Sequence, residues 1–180
     1  KRLRPLLVML AAELCGYDGP RRVQIAAAIE LLHTATLLPD GKILVAGNFL
    51  MLAGHGPSHI GRLNADGSLD PTINFGTGAN NTINTALVQD YDGKIVIGGT
   101  FTTVAGMPRR ALARLHPDGR LDYDFYPDLA TMGHVSSLLI QPDGAILIAG
   151  NFNQVNGVEC LALARLNPNG SVDATFDPNA

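Results

Sequence analysis

Three short apolar runs, 43–46, 95–97 and 146–149, are spaced at nearly equal intervals along the chain. None alternates polar with apolar residues, and all are rich in β-branched side chains. That is the pattern of short strands buried on both faces. A turn signature precedes each run: Leu38-Pro39-Asp40-Gly41-Lys42, Asp90-Tyr91-Asp92-Gly93-Lys94 and Gln141-Pro142-Asp143-Gly144-Ala145. A loop then leads to Arg62-Leu63, Arg114-Leu115 or Arg165-Leu166, followed by a second turn and Leu69-Asp70, Leu121-Asp122 or Val172-Asp173. The six turn glycines, 41, 67, 93, 119, 144 and 170, are separated by 26, 26, 26, 25 and 26 residues. Such regularity marks a repeat architecture.

Turn chemistry sets the pairing within each unit. Pro-Asp-Gly suits a type I turn followed by a glycine in the left-handed region, the three-residue hairpin loop with a glycine bulge. Applied to residues 64–68, it places Asn64 opposite Ser68, Leu63 opposite Leu69 and Arg62 opposite Asp70. The same register pairs Arg114 with Asp122 and Arg165 with Asp173 as structural ion pairs. A slip of one residue would move every side chain to the other face, so three-fold agreement supports the register. Each unit then holds two hairpins and four short strands, the content of a β-propeller blade.

The first 37 residues have a different pattern. Pro5 precedes Leu6, Leu7, Leu10 and Leu14 at helical spacing, and Gly16 and Gly19-Pro20 break the chain. A second helix is expected over about 21–34, with Val23, Ile25, Ala26, Ile29 and Leu32 on its apolar face. Its end is ambiguous. Residues 32–38 hold the place that 83–88 and 135–140 take before later turns, so they are also a candidate for a missing first strand.

Charge divides the same way. Residues 1–37 carry +2 and residues 38–180 carry −5, within a net charge of −3. The acidic repeats are a poor match for nucleic acid, and no apolar run is long enough to span a bilayer. The basic then apolar start mimics a signal peptide, but Glu13-Leu14 before Cys15 are not the small residues a lipoprotein site wants. Cys15 and Cys160 form neither a disulfide framework nor a metal spacing.

Residues 38–180 resemble the delta-60 repeat of bacterial proteins, whose pattern runs Pro-Asp-Gly-Lys-Ile-Leu-Val-x-Gly-x-Phe, then Arg-Leu-Asn-x-Asp-Gly-Ser-Leu-Asp. The resemblance implies a β-propeller-like array, often in large secreted or surface proteins, and no known catalytic residues. Residues 1–7, Lys-Arg-Leu-Arg-Pro-Leu-Leu, and 26–37 resemble polyprenyl (isoprenyl) diphosphate synthases. That family is all-α and elongates allylic diphosphates with isopentenyl diphosphate and magnesium. By motif, Lys1, Arg4 and His33 correspond to family residues that hold the isopentenyl diphosphate, a role suited to cationic donors. The family next requires Asp-Asp-x-x-Asp to bridge magnesium to the allylic diphosphate. This chain has Leu38-Pro39-Asp40-Gly41-Lys42 there, and no adjacent Asp-Asp pair anywhere. The N-terminal part suggests a cytoplasmic origin and the repeats a secreted or surface one.

Bland readings account for the remaining candidates. Asn64-x-Asp66-Gly67-Ser68-x-Asp70 hints at a calcium loop, but its glycine is misplaced for an EF-hand and no closing Glu follows. Gly76-Thr77-Gly78 lacks the third glycine of a dinucleotide fingerprint. His55, His59, His116 and His134 share no ligand spacing. The expected fold is mostly β: about three four-stranded blades in an incomplete, open array, over 38–89, 90–140 and 141–180. A short two-helix segment over 1–37 precedes them. The chain reads as a chimera, whether natural, engineered or a gene-model error. The expected function is a non-enzymatic interaction or scaffold module carrying an inactive synthase fragment. The alternative is a polyprenyl diphosphate synthase represented by its isopentenyl-diphosphate-binding fragment alone. No cofactor or catalytic residue is expected, and magnesium belongs only to the synthase reading. Binding is expected at loops 50–58, 102–109 and 153–159. Self-association is expected through open apolar blade faces.

Overall fold

The computed structural model describes residues 32–52, 58–129 and 133–176. These residues are mostly β, with no helix among them. Three antiparallel sheets follow one another along the chain, and they do not close into a barrel. The first contains β1 (Leu32–Leu37), β2 (Ile43–Gly47) and β3 (Ile60–Leu63), in that order. The second contains β4 (Ile83–Val88), β5 (Ile95–Gly99) and β8 (Leu112–Leu115). The third contains β9 (His134–Ile140), β10 (Ile146–Asn151) and β13 (Leu163–Leu166). Two-residue ribbons, β6 (Thr103–Val104) with β7 (Met107–Pro108) and β11 (Gln154–Val155) with β12 (Val158–Glu159), fill the loops of the second and third units.

The expected helices over 5–34 lie outside the described residues except at their end. There, Leu32–Leu37 form β1, the strand that opens the first sheet, with Thr34 opposite Ala46 and Thr36 opposite Leu44. The helix expected to run to Thr34 is therefore replaced by strand over its last three residues. A free edge of β2 in the same sheet offers backbone partners, and that tertiary pairing outweighs local helix propensity.

All six Asx-Gly turns share one construction. Asp40, Asp66, Asp92, Asp118 and Asp143, and Asn169 in the last turn, each accept through Oδ1 a hydrogen bond from the amide two residues on. Each following glycine has φ between 69° and 90°, a conformation that L side chains resist. Five of the turns close with an amide donating to a carbonyl four residues later, as Leu38 does to Lys42. The third differs, because Gln89 N donates to Lys94 O across one extra residue. The extra residue lies between Gln89 and Gly93, which are separated by three residues where Asn64 and Gly67 are separated by two.

The fourth strand of each unit is shorter than expected. It is reduced to a single bridge: Leu63 with Leu69, Leu115 with Leu121, and Leu166 with Val172. The next residue ends it. Asp70, Asp122 and Asp173 each bend the chain by accepting at Oδ1 the amide of Thr72, Asp124 or Thr175. A local side-chain bond of this kind competes with the ladder.

Packing joins the sheets face to face. One core lies between the first and second sheets, built on Leu44, Ala46, Ile60, Phe75, Ile95, Ile97 and Phe101. Another lies between the second and third, built on Val96, Leu112, Phe125, Val135, Ile146, Ile148 and Phe152. The two cores share no residue, and β5 contributes to both, Ile95 and Ile97 to one side and Val96 to the other. This explains its unbroken apolar run, since a strand covered on both faces has no side for polar residues.

Close approach between sheets also fixes certain turns. A Cβ at Gly119 would lie 2.7 Å from Asn74 O, whereas one at Gly67, with nearly the same φ, would meet nothing within 4 Å. Gly67→Ala should therefore cost only left-handed strain, about 1–2 kcal/mol. Gly119→Ala should cost about 3 kcal/mol or more, because the neighbouring backbone must also move. Urea unfolding of the two variants checks the difference, and equal losses would contradict the packing role of Gly119.

Candidate functional site

The most developed polar constellation in each unit is built around one carboxylate at the end of the vestigial fourth strand. In the first unit, Arg62 Nε donates to Asp70 Oδ2 at 2.7 Å and Lys42 Nζ reaches the same oxygen at 3.0 Å. Asp70 Oδ1 accepts from the Thr72 amide and from its hydroxyl, at 2.9 and 2.7 Å. The second unit repeats this with Arg114 and Lys94 on Asp122 Oδ2, at 2.7 and 3.0 Å. The third unit has Arg165 on Asp173 Oδ2, with the Thr175 hydroxyl on Oδ1. Ala145 replaces the lysine there.

The hairpin turn explains why these groups meet. Asp70 N donates to Arg62 O, Asp122 N to Arg114 O and Asp173 N to Arg165 O, each at 2.9 Å. Each pair therefore sits opposite across a tight loop. The lysines stand at the entry to the adjacent strand, one residue past the first turn glycine of the unit. Sequence reasoning missed them, although Lys42 and Lys94 in equivalent positions were a visible signal.

Burial and donors act against each other on these carboxylates. Burial pushes the Asp70 carboxyl up, but the Thr72 hydroxyl and amide, Lys42 and Arg62 more than reverse it. Its pKa ends far below the usual carboxylate range. Burial also opposes ionisation of Asp122, and Lys94 and Arg114 overcome it, so its pKa is lowered. The Thr175 hydroxyl and amide, with Arg165, hold Asp173 down at about 2. A carboxylate held ionised this firmly is a poor proton donor or acceptor near neutral pH.

Two of the arginines also reach beyond their own sheet. Arg62 Nη1 donates to Pro117 O of the second unit at 3.4 Å, and Arg114 Nη1 to Pro168 O of the third at 2.5 Å. Arg114 further lies over the Phe125 ring, 4.5 Å from its centroid. The pairs thus brace one blade against the next.

The remaining candidates are scattered. Asp66 Oδ1 is occupied by the Ser68 amide and hydroxyl at the exposed turn, and the buried Asp70 by the donors above, so protein donors engage both carboxylates of the calcium-like run. No group of three or more His, Cys, Asp or Glu side chains converges among the described residues. His59 is buried, with Nδ1 3.1 Å from Gly47 O. Burial pushes the Cys160 thiol up, away from a reactive thiolate. Lys1 and Arg4 lie outside the described residues, and His33 stands in β1.

The loops at 102–109 and 153–159 are held from both sides. Asn80 Oδ1 accepts the amides of Thr102 and Thr103, and Val104 bridges to Ala79. Asn156 and Asp128 exchange hydrogen bonds, and Val155 bridges to Leu129. Each ribbon is a stitch to the connection arriving from the preceding sheet. In the first unit Leu50 and Met51 are exposed.

Successive small sheets, stacked face to face and braced by one recurrent ion pair, define a β-propeller repeat protein. The chain belongs to the family described as "Domain of unknown function (DUF5122) beta-propeller", whose model matches residues 38–72, 92–125 and 141–176. A second similarity is short. Octaprenyl diphosphate synthase of Escherichia coli is 58% identical over 40 residues, 22% of this chain and 12% of that protein. All-trans-nonaprenyl-diphosphate synthase (geranyl-diphosphate specific) of Rhodobacter capsulatus is 46% identical over 48 residues, 26% of this chain and 15% of that protein. Heptaprenyl diphosphate synthase component 2 of Geobacillus stearothermophilus is 46% identical over 43 residues, covering 24% and 13%. The chain therefore spans roughly an eighth of the length of these curated relatives.

Because all three carboxylates have lowered pKa values, they stabilise the fold above the unfolded carboxyl pKa and lose that contribution as pH falls through the folded value. Stability should be flat above about pH 5 and fall between about pH 4 and the native values near 2 and below. Asp122→Asn, which leaves the buried Arg114 without its counter-ion, should cost about 3–5 kcal/mol and make the acid limb shallower. Urea midpoints from pH 2 to 8 would show both effects.

Proposed function

We propose that this chain is a non-enzymatic repeat module that works by presenting blade surfaces to a protein partner. The observation that carries this reading is the fate of its polar clusters. The charged groups that converge, around Asp70, Asp122 and Asp173, are consumed by each other within the blade, and two of the arginines also donate to a carbonyl of the next blade. Several large apolar side chains stay accessible: Leu139, Leu161 and Val158 on the third unit, and Leu37, Leu50 and Met51 on the first. Exposed apolar surface on a β-repeat suits association rather than chemistry.

The synthase similarity favours a second reading, in which the N-terminal part is an isopentenyl-diphosphate-binding fragment using Lys1, Arg4 and His33. Prenyl transfer needs metal-bound carboxylates to stabilise the leaving diphosphate. The segment that would carry them is occupied by the Asp40-Gly41 turn, so the fragment is inactive in this reading.

Incubating the full chain with magnesium, an allylic diphosphate and labelled isopentenyl diphosphate should give no elongated product above background. Magnesium-dependent chain elongation would overturn the non-enzymatic reading.

A further inference from the structure

We propose, on the reading of the chain as a repeat module that presents blade surfaces to a protein partner, that the surface built on Tyr123, Tyr126 and Arg109 of the second unit binds an acidic segment of that partner.

A repeat array separates what the fold needs from what one unit adds. Residues that the fold needs recur, as the Arg–Asp pair and the turn glycines do in all three units. Arg109, Tyr123 and Tyr126 do not. In register with Arg62, Arg114 and Arg165, their counterparts are Pro57, Pro71 and Asn74 in the first unit, and Cys160, Ala174 and Asp177 in the third. A local departure from a repeated pattern, gathered in one unit, is where function is expected.

The departure opposes stability at Arg109, which is 4% exposed. Its Nη1 donates to the carbonyl of Pro108 at 2.8 Å, and its Nε is buried without an acceptor. Arg62, Arg114 and Arg165 each hold an aspartate, whereas Arg109 has no ion pair among the described residues. A buried cation without a counter-ion is unfavourable. Its neighbours are two rings instead. The Tyr126 centroid lies 4.4 Å from Cζ and that of Tyr123 lies 5.7 Å away.

Those rings face solvent. Tyr123 is 63% and Tyr126 54% exposed, whereas Phe49, Phe75, Phe101, Phe125 and Phe152 are all buried. Tyrosine and arginine together are the residues on which protein interfaces concentrate their binding energy. Beside Tyr123 is a cleft of about 650 Å³, lined by His116, Pro117, Asp118, Arg120, Leu121 and Tyr123. The surface belongs to the middle unit, which has a sheet packed on each side, so its exposure does not depend on an uncovered end of the array.

Charge selects the partner. Arg109, Arg110, Arg114 and Arg120 are four of the eight Lys and Arg in residues 38–180. Asp122 and Asp118 hold Arg114 and Arg120 at 2.7 Å, and Asp128 stands 3.9 Å from Arg110. Asp124 is near in sequence but makes no ion pair with Arg109. Arg109 is therefore the cation left over. A guanidinium on one face of a ring draws π density toward it, so the other face of Tyr126 suits an electron-rich group rather than a second cation. The phenol hydroxyls add donors for a carboxylate. A partner's Asp or Glu fits these groups, with an apolar neighbour for the cleft.

The chain has four tyrosines and no Trp, so tyrosine-ring NMR signals read the site directly. The full chain would be titrated with a short end-capped peptide of alternating Glu and Leu, with its Gln and Lys counterparts, and with cellotriose. The Glu peptide should shift the Tyr123 and Tyr126 signals and leave Tyr91 unmoved, and the other three probes should shift none of them at equal concentration. Tyr123→Ala and Tyr126→Ala should each weaken binding at least about tenfold. Tyr91→Ala, at an exposed tyrosine elsewhere, should leave it unchanged. Arg109→Met, which replaces the unpaired charge by an apolar chain, should weaken binding as much while its urea midpoint stays at or above that of the wild type. No shift by the Glu peptide up to millimolar concentration, equal shifts by the Lys peptide, or shifts by cellotriose in its place would overturn the proposal. A lowered midpoint in Arg109→Met would make that residue a packing element and overturn it too. A null titration leaves the non-enzymatic reading standing, whereas elongated prenyl product would overturn that reading without moving a tyrosine signal.

Discussion

The fold depends on one carboxylate per unit, because its two oxygens do separate jobs. At Asp70, Oδ1 accepts from Thr72 and so bends the chain out of the sheet. Oδ2 takes Arg62 and Lys42 and so ties the end of that hairpin to the rest of the blade. The same arginine then reaches the next unit's turn. A buried charge is tolerated only when paired and hydrogen-bonded. The blade, its exit and its connection to the following blade are therefore set by one group that none of the three can lose.

This arrangement makes each blade an incomplete object. The cores lie between sheets rather than within them, so the middle sheet is the one covered on both faces. Stability in such arrays is approximately a sum of nearest-neighbour interfaces. The third sheet accordingly shows exposure that the middle sheet lacks: β8 is buried at all four positions, whereas β13 is buried at alternate ones.

Features set by chemistry within a few residues were legible in the sequence. The Asx-Gly turns have side-chain acceptors two residues from their donors, and glycines held at positive φ. Arg62 and Asp70 are eight residues apart across one such turn, so the register brings them together without help from the rest of the fold. Features set by distant contacts were harder to see. Lys94 meets Asp122 from 28 residues away, and its signal is the equivalent placing of Lys42 one unit earlier rather than anything local to either residue. The ribbon turns hide for a different reason. Ala105, at φ 49°, precedes Gly106 at a position where turn chemistry would suggest Asn, as in Asn156-Gly157 of the next unit. Ala105 is held there by its amide bond to Gly78 O, which belongs to the preceding connection. The extra residue in the 89–94 turn was masked by the regular glycine spacing, which survives the insertion almost unchanged.

The N-terminal boundary shows how one segment can satisfy two patterns. Residues 31–37, Leu-Leu-His-Thr-Ala-Thr-Leu, belong to the stretch that resembles an all-α synthase. Yet Thr34 and Thr36 are β-branched at alternate positions, which suits a strand facing Ala46 and Leu44. In β1 the Thr34 hydroxyl donates to Asn84 O of the second sheet, so the segment is tied to two blades. The resemblance places His33 on a helix beside Lys1 and Arg4, whereas the sheet places it in β1. The same backbone cannot occupy both. Recovering the helix would strip β2 of its partner on one edge and leave its amides and carbonyls unpaired beside a closed core. The first blade and the helix that the resemblance implies therefore compete for residues 32–37, and the blade has the larger network of partners to lose.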